Sequence, residues 1–246
     1  MNRPILLAIF AHPDDELGCI GTLANHVDAG DDVHLLFLTQ GENASTLPGT
    51  DEERIEQRKQ HTHEIEELIG LKVHFMNFPD SKLEYTMDGA YKIAEKLKEI
   101  RPNAIITWNE STHLFAGHPD HRNTSKLVFD AISYSRFRAK GSQYEPLRIP
   151  LTLYNYSQDI SSESRMVYVD VSSQYEKILK FIEIYQKAYG NWPVKDFKVG
   201  TMQVMGRRAN VQYAEGFVII NQGYKAHKLL ELSPDNVDPI LDSVKH

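Results

Sequence analysis

The chain has 246 residues, of which 41% are hydrophobic and 25% are charged, an ordinary composition for a globular protein. Its net charge of −7 and the absence of a basic stripe disfavour a nucleic-acid-binding surface, and no apolar run reaches the ~18 residues of a membrane helix. The single cysteine, Cys19, excludes an intramolecular disulfide and a cysteine-based zinc cluster. The first apolar run is too short for a secretory signal, so we expect a soluble cytoplasmic protein.

Short apolar runs alternate with amphipathic segments along the chain. The apolar runs predict strands at residues 5–11, 33–39, 72–78, 103–108, 151–157, 165–172 and 211–221. The amphipathic segments predict helices at residues 17–28, 51–69, 88–100, 119–132 and 174–190. Residues 191–210 show no pattern that assigns them to an element.

Alternating strands and helices imply right-handed crossovers and a parallel sheet with helices on both faces. We therefore predict an α/β fold, with a Rossmann-like, doubly wound, mostly parallel sheet. A single domain is expected over residues 1–246, in which residues 1–135 form the core that carries the site. Residues 136–246 are expected to complete the same domain.

The segment AHPDDE (11–16) follows the first predicted strand, where dinucleotide-binding proteins carry a glycine-rich turn. Its three consecutive acids, Asp14, Asp15 and Glu16, would repel a dinucleotide phosphate, so we exclude a nicotinamide cofactor. A second segment, GHPDH (117–121), follows the fourth predicted strand. Ligands of open α/β sheets bind beyond the carboxyl ends of the strands, so the two segments should converge if their strands are neighbours.

Histidines and aspartates that converge in this way have the chemistry of a metal site. Catalytic zinc takes three protein ligands plus a water, and two imidazoles with one carboxylate can supply them. The metal lowers the pKa of that water to about 7, and a second carboxylate can accept the proton it releases. A divalent cation would also balance the repulsion between Asp14 and Asp15. Zinc is the first expectation for the ion, and Fe²⁺ or Mn²⁺ also suits such ligands.

AHPDDE near the start of the chain, together with GHPDHR (117–122), resembles the PIG-L/LmbE family of metal-dependent N-deacetylases. Further similarities are LTQGE (38–42), FPD (78–80) and YAEGF (213–217). The resemblance implies hydrolytic removal of an acetyl (acyl) group from the amide nitrogen of an N-acetylated amino sugar or its conjugate, as in bacillithiol and mycothiol biosynthesis. It also implies a Zn²⁺ cofactor, a small-molecule substrate and a homo-oligomer, either a trimer or a hexamer.

The resemblance assigns roles to three sets of residues. Carried over to this sequence, the metal ligands are His12, Asp15 and His121. The catalytic residues are Asp14, His118 and Asp120. The substrate-binding residues are Arg58, Asp80 and Glu42. Asp14 is expected to act as general base, and His118, oriented by Asp120, to polarise the amide carbonyl or protonate the leaving amine.

Two places depart from the family pattern. His61 stands where the family often has glutamate, three residues after its arginine. Phe115 and Ala116 stand where some members carry a tyrosine. We expect these differences to affect specificity more than the type of reaction.

Two other functions compete with the hydrolase. A catalytically silent, metal-containing sugar-binding protein would need the metal ligands but neither Asp14 nor His118, and the sequence has both. Two histidines and one carboxylate also form the site of non-haem iron oxygenases. Those sites are commonly built on antiparallel jelly-roll barrels and do not need the additional Asp14, so we rank that function lower.

Overall fold

The computed structural model describes residues 3–110, 117–139, 141–156 and 166–220. Phe115 and Ala116 lie outside the described residues. The strands are β1 (Ile5–Phe10), β2 (Asp32–Phe37), β3 (Lys72–Phe75), β4 (Ala104–Trp108), β5 (Thr152–Tyr156), β6 (Met166–Asp170) and β7 (Ala214–Ile219). The helices are α1 (Ile20–Asp28), α2 (Asp51–Ile69), α3 (Met87–Ile100), α4 (Pro119–Ser135), α5 (Tyr175–Tyr189) and α6 (Val194–Ala209). None of these helices combines the length and apolar character that spanning a membrane requires.

The seven strands form one sheet in the order β3-β2-β1-β4-β5-β7-β6. The strands from β3 to β5 are parallel, whereas β7 pairs antiparallel with both β5 and β6. The chain winds outward from β1 to β3 and then returns to β4 on the other side of β1. This reversal between β1 and β4 is the position at which open α/β sheets bind their ligands. The predicted α/β fold with a Rossmann-like, mostly parallel sheet is confirmed.

Helices cover both faces of the sheet and produce two hydrophobic cores. Ala8 and Phe10 of β1 pack into the core that includes α1, α2, α5 and α6. Leu7 and Ile9 point to the opposite core, which includes α3 and α4. Because β1 is buried on both faces, it must be apolar at every position, which explains its uninterrupted hydrophobic run.

Local sequence signals set several helix ends. Thr50 and Glu53 form a capping box at the start of α2, and Gly70 ends that helix with a φ of 89°. A 3₁₀ turn at Asp15–Gly18 precedes α1, so the predicted helix at 17–28 begins later than expected. Helix α6 occupies most of residues 191–210, for which the sequence predicted no element.

Candidate functional site

The two histidine-containing segments meet at the carboxyl ends of β1 and β4. The ring centroid of His12 lies 4.8 Å from that of His118 and 5.4 Å from that of His121. One nitrogen from each ring lies within 4.8 Å of the other two, so the three imidazoles could hold one metal ion. Asp15 contacts two of them, with its Oδ1 3.0 Å from His121 Nε2 and its Oδ2 3.5 Å from His12 Nδ1. The structure thus brings the three expected ligands together and places His118 beside them.

Two further carboxylates contact His12. Its Nε2 lies 3.2 Å from Asp80 Oδ1 and 3.2 Å from Asp120 Oδ2. Burial alone would lower the pKa of His12, but Asp120, Asp15 and Asp80 outweigh burial and raise that pKa to about 12. So many carboxylates around one buried imidazole form a site that needs positive charge. The donor set therefore fits a divalent cation, and Asp80, which the sequence assigned to substrate binding, lies directly against an expected ligand.

Trp108, at the end of β4, orients two of the expected ligands. Its Nε1 donates a hydrogen bond to Asp15 Oδ2 over 3.2 Å. Its ring stacks on that of His121, with centroids 4.1 Å apart and planes at 9°. Partners of this kind tune metal ligands. No role was predicted for Trp108, although its place at the end of the strand that precedes GHPDH was a usable signal.

His118 is the N-cap of α4, and its ring geometry distinguishes it from the other two histidines. Its Nδ1 accepts a hydrogen bond from the backbone N–H of Asp120 over 3.2 Å. A neutral imidazole that accepts at Nδ1 carries its proton at Nε2, so in that state Nε2 can donate a hydrogen bond. Burial and the nearby His12 and His121 lower the pKa of His118. This arrangement suits a hydrogen-bond donor to substrate.

Asp120 contacts His118 through its backbone N–H, whereas its carboxylate has other partners. It accepts backbone hydrogen bonds from Ser81 and Leu83 and contacts His12, while its Oδ1 stays 4.0 Å from His118 Nδ1. Asp120 positions His118 through its backbone instead. Its side chain connects the loop after β3 to His12.

Asp14 adopts a strained backbone conformation, with φ at 114°. Its N–H donates to Glu16 Oε2 over 2.8 Å, and its carbonyl accepts from the hydroxyl of Tyr189 over 3.2 Å. Its carboxylate Oδ2 lies 3.0 Å from Nη2 of Arg58. A non-glycine residue at such a φ costs about 1–3 kcal/mol and persists only where surrounding contacts hold it, most often at functional sites.

The neighbouring carboxyls of Asp14 and Asp15 are shifted in opposite directions. Burial raises the pKa of Asp14, and Arg58 opposes but does not cancel that rise. Burial acts the same way on Asp15, but His121 and His12 hold its pKa well below the ordinary value. Environments that separate two adjacent carboxyls in this way assign them different chemical tasks.

The predicted substrate-binding residues occupy different positions. Arg58 is buried and lines the cavity, and its Nε and Nη1 have no hydrogen-bond partner among the described residues. Asp80 also lines the cavity. Glu42 is not among the described lining residues, and its Oε1 accepts a hydrogen bond from the backbone N–H of Asp80 over 2.7 Å. Glu42 therefore holds the backbone of Asp80.

A buried ion pair from the C-terminal part of the chain holds the segment that follows Asp15. The carboxylate of Glu215 on β7 accepts hydrogen bonds from the first turn of α1, at Gly21 N and at both N and Oγ1 of Thr22. Lys198 Nζ lies 2.6 Å from Glu215 Oε1 and also donates to the carbonyl of Gly18. Neither residue was predicted to have a role, although Glu215 lies in the YAEGF segment.

Several of these groups line one cavity of about 420 Å³, within the ~300–1,000 Å³ typical of sites for small organic ligands. Its walls include the three histidines, the adjacent acids Asp14 and Asp15, and several aromatic side chains. The expected metal ligands and Arg58 therefore line the same cavity.

Comparison with known proteins identifies the family. The family model for PIG-L, described as GlcNAc-PI de-N-acetylase, matches residues 7–132. The chain belongs to the PIG-L family. The match contains both histidine segments and confirms the resemblance that the motifs indicated.

Individual relatives agree with this assignment. The diacetylchitobiose deacetylase of Thermococcus kodakarensis is 26% identical over 226 residues, which cover 86% of this chain and 81% of that protein. Mycothiol S-conjugate amidase of Streptomyces coelicolor is 29% identical over 174 residues, 58% of this chain and 59% of that protein. The structure of N,N'-diacetylchitobiose deacetylase from Pyrococcus horikoshii shares the fold, with a TM-score of 0.79 at 22% identity over 89% of this chain and 84% of that chain.

Proposed function

We propose that this protein is a metal-dependent hydrolase that removes an acetyl, or another acyl, group from the amide nitrogen of an N-acetylated amino sugar or its conjugate. The observation that carries the proposal is the convergence of His12, Asp14, Asp15, His118 and His121 on one cavity at the switch point of the sheet. Membership of the PIG-L family supports the reaction. The names of the relatives, which specify diacetylchitobiose and a mycothiol conjugate, support an amino-sugar substrate.

His12, Asp15 and His121 would hold the metal. A divalent ion in that position supplies Lewis-acid chemistry, which makes water nucleophilic near pH 7. Imidazole and carboxylate donors suit Zn²⁺, with Fe²⁺ and Mn²⁺ as alternatives. Trp108 keeps the Asp15 carboxylate and the His121 ring in fixed orientations through its hydrogen bond and its stacking contact.

Asp14 is the proposed general base. Its carboxylate lies in the cavity, where it can accept a proton from the attacking water at an oxygen. Arg58 holds that carboxylate in place through the 3.0 Å contact with Oδ2. Asp14 contacts Arg58, whereas Asp15 contacts His12 and His121, so the two acids serve different partners.

His118 is the proposed electrophilic group. Because its Nδ1 accepts from the backbone of Asp120, its Nε2–H is available to the substrate. A donor in this position stabilises negative charge as it develops on the amide oxygen. The departing nitrogen would take its proton from Asp14, which has received one from the attacking water. Asp120 contributes by fixing the ring.

Arg58 is proposed to have two partners, the carboxylate of Asp14 and the sugar. Buried nitrogens without partners are costly, so its Nε and Nη1 are expected to find oxygen atoms of a bound substrate. Asp80 lies close enough to His12 to contact either the sugar or the ion. Glu42 is proposed to act indirectly, because its carboxylate holds the backbone N–H of Asp80.

The competing functions account for fewer of these features. An iron oxygenase would commonly use an antiparallel barrel, whereas this site lies on a mostly parallel sheet. A silent binding protein has no use for a strained acid beside the ligand Asp15. Replacement of Asp14 separates binding from turnover.

The test uses the metal-loaded protein and N-acetylglucosamine conjugates, with release of free amine as the assay. Asp14→Asn keeps side-chain shape and suits a positive φ, so the protein should keep its metal while turnover falls about 10²–10⁴-fold. The control is Asp88→Asn, a highly exposed acid on α3, which should leave turnover unchanged. Chelation should abolish amine release, and added metal should restore it.

Three results would contradict the proposal. One is full turnover by Asp14→Asn, and another is amine release that persists after metal analysis shows the ion has been removed. The third is a metal-loaded protein that releases no amine from any conjugate, which would favour the silent binding protein.

A further inference from the structure

The two ring nitrogens of His12 have different neighbours. Nδ1 lies 3.5 Å from Asp15 Oδ2, and the other oxygen of Asp15 lies 3.0 Å from His121 Nε2. Nε2 is hydrogen-bonded to Asp120 Oδ2 over 3.2 Å and lies equally close to Asp80 Oδ1. The lone pairs of the two nitrogens of an imidazole diverge, so a single ion binds only one of them. The structure therefore offers two positions for an ion at His12.

The donors on each side of the ring distinguish the two positions. At Nδ1 an ion would meet Asp15 and His121, which completes the expected set of two imidazoles and one carboxylate. At Nε2 it would meet Asp80 and Asp120, which supply two carboxylates without a second imidazole. Zinc favours the position that is richer in imidazole. The donor chemistry therefore favours an ion at Nδ1.

The carboxylate of Asp120 is fixed on the Nε2 side by the protein itself. The residue is 1% exposed, and its Oδ2 and Oδ1 accept hydrogen bonds from the backbone N–H groups of Ser81, over 2.8 Å, and of Leu83, over 3.3 Å. Asp80 lines the cavity, whereas Asp120 is not among the described lining residues. Asp80 is therefore accessible to a substrate, and Asp120 is the partner that stays with His12.

A carboxylate in this position has a defined effect on a metal-binding imidazole. A histidine that binds metal through one nitrogen almost always donates a hydrogen bond from the other, which fixes the ring and makes the histidine a better ligand. Asp120 also directly precedes His121 in the first turn of α4. One turn of helix therefore carries one expected ligand, His121, and holds a second, His12.

We propose that His12 binds the metal ion through Nδ1, and that the carboxylate of Asp120 holds the ring in this orientation by accepting a hydrogen bond from Nε2–H. This inference rests on the proposed function for the presence of the ion. It gives the Asp120 side chain a role at His12 that is separate from the contact of its backbone with His118. Asp120 is then a positioning residue for a metal ligand.

The first test identifies the ligating nitrogen in the unaltered protein, loaded with an NMR-active isotope of cadmium. Ring protons on the carbons next to the ligating nitrogen couple to the ion. His12 should therefore show coupling to Hε1 alone, because the carbon on the other side of Nδ1 carries no proton. His121, which approaches Asp15 through Nε2, should show coupling to both Hε1 and Hδ2 and serves as the internal control. Coupling of both ring protons of His12 overturns the proposal.

The second test measures Zn²⁺ affinity by chelator competition. Asp120→Asn replaces the charged acceptor with a neutral one and should weaken Zn²⁺ binding about 10–100-fold. Asp80→Asn changes an acid at the same distance from the same nitrogen and should weaken it less. The matched control is Asp130→Asn on the same helix, where the carboxylate accepts from the exposed Tyr85, and Zn²⁺ affinity should not change.

The outcomes separate this inference from the proposed function, because neither measurement requires turnover. An unchanged Zn²⁺ affinity of Asp120→Asn, or an equal loss in Asp80→Asn, overturns the role of Asp120. The cadmium couplings decide the ligating nitrogen even if the Asp120 variant does not fold. A protein that binds metal through His12 Nδ1 but releases no amine would contradict the proposed hydrolase and support this inference.

Discussion

Replacement of Lys198 by methionine should destabilise the fold strongly, because it leaves the Glu215 carboxylate buried without its cation. The two side chains are only 3% and 1% exposed, and their charged atoms lie 2.6 Å apart. Removal of one partner from a buried ion pair costs about 3–5 kcal/mol. Glu215 keeps its hydrogen bonds from the first turn of α1, so we expect a loss near the lower end, about 3 kcal/mol.

Urea unfolding followed by circular dichroism measures this loss as a lower midpoint with an unchanged slope. In thermal unfolding, a domain of this size shifts by about 2–4 °C per kcal/mol, which gives a decrease of about 6–12 °C. The matched control is Lys92→Met, which removes an exposed partner of Asp88 with side chains 59% and 79% exposed. That variant should change stability by no more than about 0.5 kcal/mol.

A double-mutant cycle with Glu215→Gln tests the coupling itself. The double variant should lose less stability than the sum of the two single losses. Each single variant buries one unpaired charge, whereas the double variant buries none. Equal effects of Lys198→Met and Lys92→Met, or strict additivity in the cycle, would refute the assignment of this pair as a stabilising contact.

Three further predictions concern pH, capping and the metal ligands. Burial lowers the pKa of His34 and of His74 below the ordinary 6.5. As the pH falls below about 6.5, the two histidines bind protons more readily in the unfolded chain than in the folded protein. Protonation of these groups therefore favours unfolding, so the folded protein is more stable above that pH than below it. A variant with both histidines changed to glutamine should therefore lose less stability than wild type between pH 7 and pH 5 in urea titrations, and an equal loss would contradict this. Thr50→Ala should cost about 1 kcal/mol by urea unfolding while Thr50→Ser costs little, and equal effects would argue against the cap. Trp108→Phe should weaken metal binding about 10–100-fold in chelator competition by removing the hydrogen bond to Asp15, and an unchanged affinity would exclude that role.

Much of the fold was predictable because its signals are local. Parallel strands buried on both faces, such as β1, must be apolar throughout, and the helices between them show their buried stripes. The order of the strands then placed AHPDDE and GHPDH at one edge. The convergence of His12 and His121 was predictable for that reason.

The unassigned helix α6 shows where local signals fail. Its sequence contains Gly200 and Gly206, which lower helix propensity. A side chain at Gly206 would lie 2.7 Å from the carbonyl oxygen of Gln212, so glycine is required there by close packing against the backbone. That requirement comes from tertiary structure and is not visible in the local pattern.

Several contacts within the site were also beyond the sequence. The carboxylate of Asp120 contacts His12, from which it is 108 positions distant, and Lys198 reaches Gly18 across 180 positions. The motifs identified the residue types that a metal site needs. The contact of Asp120 depends on how α4 packs against β1, and that of Lys198 depends on where α6 lies beside the segment that follows Asp15.

The backbone at Asp14 limits how the site can be altered. A φ of 114° is tolerated by few residue types, chiefly glycine, asparagine and aspartate. A library randomised at this position would therefore yield few folded variants, and a glutamate base could be installed only after the turn itself had been rebuilt. Laboratory evolution of a different proton acceptor would advance more readily from a neighbouring position on the cavity wall.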